Sequence, residues 1–269
     1  MESRKLTNLQ KQDLEILKVF IQICKEKKLR YFLVAGSMLG AKRHHGFIPW
    51  DDDIDVAMPR KDYDIFLSCA QSMLPDKYYL ETPREKKHFL MGSNIYSKEK
   101  SFFLNNSESK QITGAWIDIM VIDGVPNPGI RRIIHWYQYM VLRALYQISH
   151  FNEAVNQERK RPFFEKVIIS FAKITQMQRL LNPEKINTSI EKLLRSCEYD
   201  KADFAATYGG IYRKKEIVPK QWYGNPQTYL FEELEVCGLE EADKYLTQLY
   251  GNYMIPPFDK TGRHNVTEL

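Results

Sequence analysis

The run Pro49-Trp50-Asp51-Asp52-Asp53-Ile54-Asp55-Val56-Ala57-Met58-Pro59 constrains this chain more than any other stretch, because it sets carboxylates directly against an apolar, β-type segment. On a strand alternate side chains share a face. Asp51, Asp53 and Asp55 are therefore expected to project together, with the core-docking residues among Ile54, Val56 and Met58. Acids two positions apart on one face sit about 7 Å from each other. In a partly covered cleft their repulsion raises their pKa values or destabilises the fold. A bound divalent cation removes that penalty, and hard carboxylate oxygens suit Mg²⁺ or Mn²⁺. Alone, a run of three aspartates is more often a solvated turn; the flanking Pro49-Trp50 and the apolar segment place this one at a strand entrance.

A second acid interrupts an apolar strand pattern in Trp116-Ile117-Asp118-Ile119. A mid-strand Asp is uncommon unless it is paired or metal-bound, so Asp118 is the natural third ligand or general base. Asp123, beside Gly124 at the expected end of that strand, reads as a turn cap. Upstream, Tyr31–Ala35 reads as a buried strand that passes through Gly36-Ser37 into a short helix. Such a turn offers backbone N–H groups and a helix N-terminus to a phosphate. On that helix Arg43 could neutralise a transferring phosphate, with His44 nearby; an ordinary solvated helix end is the other reading.

The surrounding pattern is mixed. Asn8 to about Cys24 carries apolar residues at helical spacing, with Thr7 or Asn8 as N-cap. A helix from Pro59 to about Met73 and strands near Phe89–Tyr96 and Ala115–Ile122 follow, and from Gly129 to about Ser196 the pattern is almost wholly helical. This predicts an α+β fold of three parts: a catalytic core over 1–128, a helical insertion over 129–200, and a C-terminal segment over 201–269 that packs back on the core and carries a helix near Glu240–Leu249.

Charge and cysteine usage narrow the function classes. The net charge of +5 is modest, but residues 131–181 hold nine Lys or Arg against three Glu. No nucleic-acid reading motif accompanies that charge, so nucleic acid is not an expected partner. A cationic face with Trp136, Tyr137, Phe163 and Phe164 suits an anionic membrane surface, though such a stripe more often packs on the core. The N-terminus opens polar, and no apolar stretch reaches the roughly 18 to 20 residues that a spanning helix needs. Cys24, Cys69, Cys197 and Cys237 are scattered without a C-x-x-C pair. A cytoplasmic protein, peripheral at the inner face of the membrane if it touches one, is the expectation.

The stretch from Ala35 to Arg60, Ala-Gly-Ser-Met-Leu-Gly-Ala-Lys-Arg-His-His-Gly-Phe-Ile-Pro-Trp-Asp-Asp-Asp-Ile-Asp-Val-Ala-Met-Pro-Arg, resembles the signature of LicD-type phosphocholine transferases, whose relatives include fukutin-like ribitol-phosphate transferases. Trp116–Ile119 with Asp123–Pro126, and the tail Tyr250–Met254 with Pro256-Pro257, are similar to the family's later landmarks in the same order. Ser37 stands where Thr is often found, and Asn252 where Asp is common.

The resemblance implies a nucleotidyltransferase-like mixed sheet flanked by helices. It makes Asp53, Asp55 and Asp118 ligands of Mg²⁺ or Mn²⁺ and Asp51 an auxiliary catalytic group. It puts Gly36, Ser37, Arg43, His44, Trp50 and Trp116 around the substrate. The implied reaction transfers phosphocholine from cytidine diphosphate choline (CDP-choline) to a sugar hydroxyl of a cell-surface glycan, lipid-linked or not, such as lipopolysaccharide or a teichoic acid precursor. Choline would need an aromatic face; Phe47, Trp50, Tyr96, Trp116, Trp222 and Tyr253 are candidates, and His264 could close over the site. Ribitol or glycerol phosphate transfer, nucleotidyl transfer, and a catalytically silent membrane-associated binding protein remain the alternatives.

Overall fold

Helix α1 (Asn8–Lys27) begins with a reciprocal cap. Thr7 Oγ1 accepts the Gln10 N–H at 3.2 Å while Gln10 Oε1 accepts the Thr7 N–H at 3.0 Å. Lys28 in the left-handed region ends the helix, and Leu14, Leu17, Phe20 and Ile21 bury its apolar face. The computed structural model describes residues 6–83, 92–106, 109–149, 181–256 and 266–268.

In chain order there follow β1 (Phe32–Leu33), α2 (Ala35–His44), β2 (Asp55–Pro59), α3 (Arg60–Met73), β3 (Tyr78–Glu81), β4 (Gly92–Ser97), β5 (Phe102–Asn106), β6 (Ser109–Thr113) and β7 (Trp116–Val125). After them come α4 (Ile130–Ser149), α5 (Pro183–Arg195), β8 (Phe204–Thr207), β9 (Val218–Pro219), β10 (Gln227–Phe231), β11 (Leu234–Gly238), α6 (Ala242–Tyr250) and β12 (Val266–Glu268). The class is α+β, as the sequence predicts.

The main sheet runs β1-β2-β7-β4-β3, with β8 and β9 attached beyond. β2 and β7 pair in parallel and the other neighbours are antiparallel. β7 is the spine. Its first half lies between β2 and β4, and β8 takes over the β4 side from Ile122 onward. A three-stranded sheet, β12-β5-β6, and the β10-β11 hairpin stand apart. Helices α4 and α5 pack on each other over a separate cluster of Trp136, Tyr139, Ile186, Ile190 and Leu194, joined by Tyr208. Residues 150–180, with Phe163 and Phe164, lie outside the described residues, as does His264. Among the described residues no helix is long and apolar enough to cross a membrane.

Three local expectations are corrected. Asp51, Asp53 and Asp55 do not share a strand, because β2 starts only at Asp55. The Asp51 N–H closes a turn onto the Ile48 carbonyl at 3.0 Å, and the Asp51 carbonyl accepts Gln10 Nε2 at 2.9 Å, so this backbone is spent before any ladder begins. Gly36-Ser37 is not a free turn between strand and helix. α2 already starts at Ala35, whose φ of +46° makes the abrupt change of direction, leaving Gly36 and Ser37 in the first helical turn. Asp123 caps no turn, since β8 extends β7 to Val125 and Asp123 pairs with Ala206 inside the sheet.

Glu216 lies buried beside β8, where Thr207 Oγ1 donates to it at 2.8 Å. Burial pushes its carboxyl up to about 7. A raised carboxyl favours the protonated fold, so its contribution is full below the unfolded value near 4.5 and is lost as pH rises through 7. The shift corresponds to about 3 kcal/mol. Glu216→Gln is therefore expected to match the wild type in thermal midpoint near pH 4.5 and to exceed it by a margin that grows as pH rises toward about 7 and levels off above it; a difference that stays constant from pH 4.5 upward would contradict the assignment.

Candidate active site

Asp55 on β2 and Asp118 on β7 are register partners across a parallel pairing, the one such pairing among the described residues. Asn94 on β4 faces Asp118 from the other side, and Glu81 on β3 faces Asn94. Register partners point to the same side of a sheet. Glu81, Asn94, Asp118 and Asp55 therefore make a polar row across four strands whose other residues largely build the core.

The row is held by specific bonds. Asn94 Nδ2 donates to Asp118 Oδ1 at 2.5 Å and Trp116 Nε1 donates to Asp118 Oδ2 at 3.1 Å. Two fixed donors, one per oxygen, set the plane of that carboxylate while leaving acceptor capacity on both oxygens. The Asp118 N–H is bound by the Ile54 carbonyl at 2.9 Å, which locks the acid run to the head of β7. The Asp55 N–H donates to Ser37 Oγ at 2.8 Å. Ser37, buried, thus ties the first turn of α2 to the acid strand.

Asp51 lies at the start of α2. A Cβ on Gly36 would stand 2.9 Å from Asp51 Oδ2, so a side chain at 36 would push the carboxylate away from its place at the helix N-terminus, where the helix dipole favours negative charge. Beside it opens a cavity of about 340 Å³ lined by Gly36, Arg43, Trp50, Asp51, Tyr250 and Tyr253. Arg43 is anchored rather than solvated. Its Nη1 donates to the Tyr253 carbonyl at 2.5 Å, its Nε donates to His44 Nε2 at 2.9 Å, and its guanidinium lies 5.9 Å from the Trp50 ring centre. Because His44 Nε2 accepts, its proton sits on Nδ1. Partial burial lowers the Arg43 pKa from its ordinary value, yet a guanidinium stays cationic at neutral pH. The tail is further fixed to α2 through Asp243, which pairs with Lys42 at 2.9 Å and accepts a short bond from the Tyr253 hydroxyl.

The expected site residues therefore fall into two neighbouring groups. Asp55, Asp118 and Trp116 belong to the sheet row; Gly36, Asp51, Arg43, Trp50 and Tyr253 belong to the cavity, with His44 behind Arg43. Asp53 stands half-buried on the loop between them. Among the described residues no group of three or more His, Cys, Asp or Glu is set to hold a metal ion. Mg²⁺ does not require one, since it commonly binds through one or two carboxylates together with substrate phosphates and water. The Asp55–Asp118 pair fits that use.

Sequence reasoning missed Asn94, Gln10 and Asp13. Asn94 carried no signal, but Gln10 and Asp13 did: both are buried polar residues, three apart, on the inward face of α1.

The sequence profile of the LicD/FKTN/FKRP nucleotidyltransferase domain matches residues 28–166, a span holding the whole acid row and most of the cavity wall, and the chain belongs to this family. A relative that covers nearly its whole length is the lipopolysaccharide cholinephosphotransferase LicD of Haemophilus influenzae, 28% identical over 258 residues, or 95% of this chain and 94% of that one. An uncharacterized protein of Rickettsia typhi is 29% identical over 98 residues, covering 34% of this chain and 30% of its own.

Proposed function

We propose that this protein transfers phosphocholine from CDP-choline to a sugar hydroxyl of a lipopolysaccharide-type glycan, on a nucleotidyltransferase-like sheet and with Mg²⁺ or Mn²⁺. The observation that carries the reading is the register pairing of Asp55 with Asp118 beside a cavity that holds Arg43 and aromatic rings. The relative named as a lipopolysaccharide cholinephosphotransferase matches along almost the full chain, which supports the same headgroup and acceptor class.

In this reaction an acceptor oxygen forms a bond to the choline-bearing phosphorus while the bond from that phosphorus to the bridging oxygen breaks. Cytidine monophosphate departs with the electron pair, and the hydroxyl proton passes to a carboxylate of the row, Asp118 in this reading. Asp55 and Asp118 would hold the divalent ion, with Asp53 as the adjacent acid; the ion supplies charge neutralisation on the phosphate oxygens. Arg43 sits where it can offset charge on the leaving phosphate. A quaternary ammonium offers no hydrogen-bond donor and is recognised by aromatic faces; Trp50, Tyr212, Tyr250 and Tyr253 line the cavity.

Incubation with Mg²⁺, a panel of CDP-choline, CDP-ribitol and CDP-glycerol, and both lipopolysaccharide and teichoic acid acceptors tests the assignment by cytidine monophosphate release. Choline with lipopolysaccharide should dominate; preference for ribitol or glycerol would move the headgroup assignment, and nucleotidyl transfer would leave cytidine monophosphate on the acceptor. Gly36→Ala should cut the rate by ~10²-fold through displacement of Asp51, while stability changes little because alanine suits a helix better than glycine.

The acceptor's lipid anchor gives a role to α4, which carries Arg131, Arg132 and Arg143 with no acid. Ile133, Ile134, Tyr137 and Val141 stand out from it, each at least half exposed. Contact of this face with an anionic membrane is part of the proposal. Flotation with vesicles rich in phosphatidylglycerol at low salt should carry the protein upward, and absence of flotation would remove the contact.

A further inference from the structure

One turn of α1 reaches both acid-bearing segments. Gln10 Nε2 donates to the Asp51 carbonyl at 2.9 Å, and Asp13 Oδ1 accepts the Trp116 N–H at 3.0 Å. Both side chains are 1% exposed, on a helix face that is otherwise apolar. Nothing in packing alone explains them, since an inward-facing Gln or Asp is disfavoured there unless its polar atoms are used.

Their placement explains the use. Trp116 opens β7 ahead of the point where β2 begins, since the β2 register starts at the Asp55–Asp118 pair. On that side the Trp116 N–H meets no strand, and the Asp13 carboxyl takes the strand's place. Trp116 then donates its indole N–H to Asp118, so a chain of contacts runs from α1 through Trp116 to the central carboxylate. Gln10 does the corresponding work for the loop that carries Asp51, Asp52 and Asp53, and it is itself steadied by the Thr7 cap. Charge agrees with this closeness: burial raises the Asp13 carboxyl well above the ordinary carboxylate range, and Asp52, Asp53 and Asp118 add to the effect.

We propose that Gln10 and Asp13 are positioning residues, a clamp on α1 that holds the Asp51–Asp53 loop and the head of β7 at the spacing the Asp55–Asp118 pair requires. The inference rests on the transferase reading for its catalytic consequence, and on contacts alone for its structural one. Neither residue touches substrate. Each acts through the backbone of a segment whose side chains do.

Two readouts test it on the intact 269-residue chain, steady-state turnover of CDP-choline and the indole N–H resonances of its four tryptophans. Asp13→Ala should lower kcat on the order of 10- to 100-fold, leave KM for the donor within about threefold, and move the Trp116 indole resonance. Asp13→Asn keeps an acceptor oxygen and should restore both. Gln10→Leu should lower kcat and move the resonance of Trp50, next to Asp51, while leaving Trp116 in place; it also serves if Asp13→Ala does not fold. Wild-type kcat in Asp13→Ala, or an unmoved Trp116 resonance, overturns the clamp. If the wild type turns over no cytidine diphosphate alcohol, the transferase reading fails and the clamp is judged on the resonances alone.

Discussion

Asp118→Asn is expected to reduce kcat/KM for phosphocholine transfer by on the order of 10²- to 10³-fold, the usual scale for removing one preorganised electrostatic group from a reacting centre. The substitution preserves shape and removes the charge. It also creates a conflict: both carboxylate oxygens now accept from fixed donors, Asn94 Nδ2 and Trp116 Nε1. An amide at 118 must turn its NH₂ toward one of them, and either the donors clash or Asn94 has to turn its own amide, at a cost of up to about 1–3 kcal/mol. A moderate fall in thermal midpoint should therefore accompany a far larger loss of rate. Asp55→Asn should lose rate similarly. Retention of more than about a tenth of wild-type kcat/KM in either variant would remove that carboxylate from the chemistry.

Arg60→Ala should produce a large loss of stability. Asp123 is 1% exposed, and Arg60 grips it with Nε at 2.7 Å and Nη2 at 2.5 Å. Removing one partner of such a buried pair strands the other charge, at a cost of about 3–5 kcal/mol. The pair joins the first turn of α3 to β7, on the same strand as Asp118. Arg60→Lys should recover only part, because a point ammonium cannot reproduce the two-pronged contact. Urea unfolding monitored by tryptophan fluorescence measures both variants. A cost below about 1 kcal/mol would mean the pair behaves like a surface bridge.

How far these elements were legible in sequence depended on how locally each is determined. α1 and its Thr7 cap were readable because a helix start and an apolar stripe are local signals, and α3 likewise. Asp118 was readable because an acid inside an apolar strand demands an explanation. The shared face for Asp51, Asp53 and Asp55 was not borne out: β2 starts only at Asp55, whose N–H goes to Ser37 Oγ, and the Asp51 carbonyl is taken by Gln10, 41 residues away. Asp123 was misread for a similar reason: β8, some 80 residues downstream in sequence, extends its strand. Strand pairing is decided by tertiary context rather than by propensity. Asn94 acquires its meaning only from the register that sets it against Asp118. The Arg43 cavity needed the tail to fold back onto α2 through Tyr253 and Asp243, a contact no local pattern announces.

In the proposed reaction Asp55 and Asp118 together grip a divalent ion on the donor's phosphates. Mn²⁺ binding, followed by electron paramagnetic resonance with CDP-choline present, reads that grip in the wild type and in the Asp55→Asn/Asp118→Asn double variant. Saturable donor-dependent Mn²⁺ binding is expected in the wild type, and its loss in the double variant with the fold retained. Equal Mn²⁺ affinity in the two proteins would contradict it.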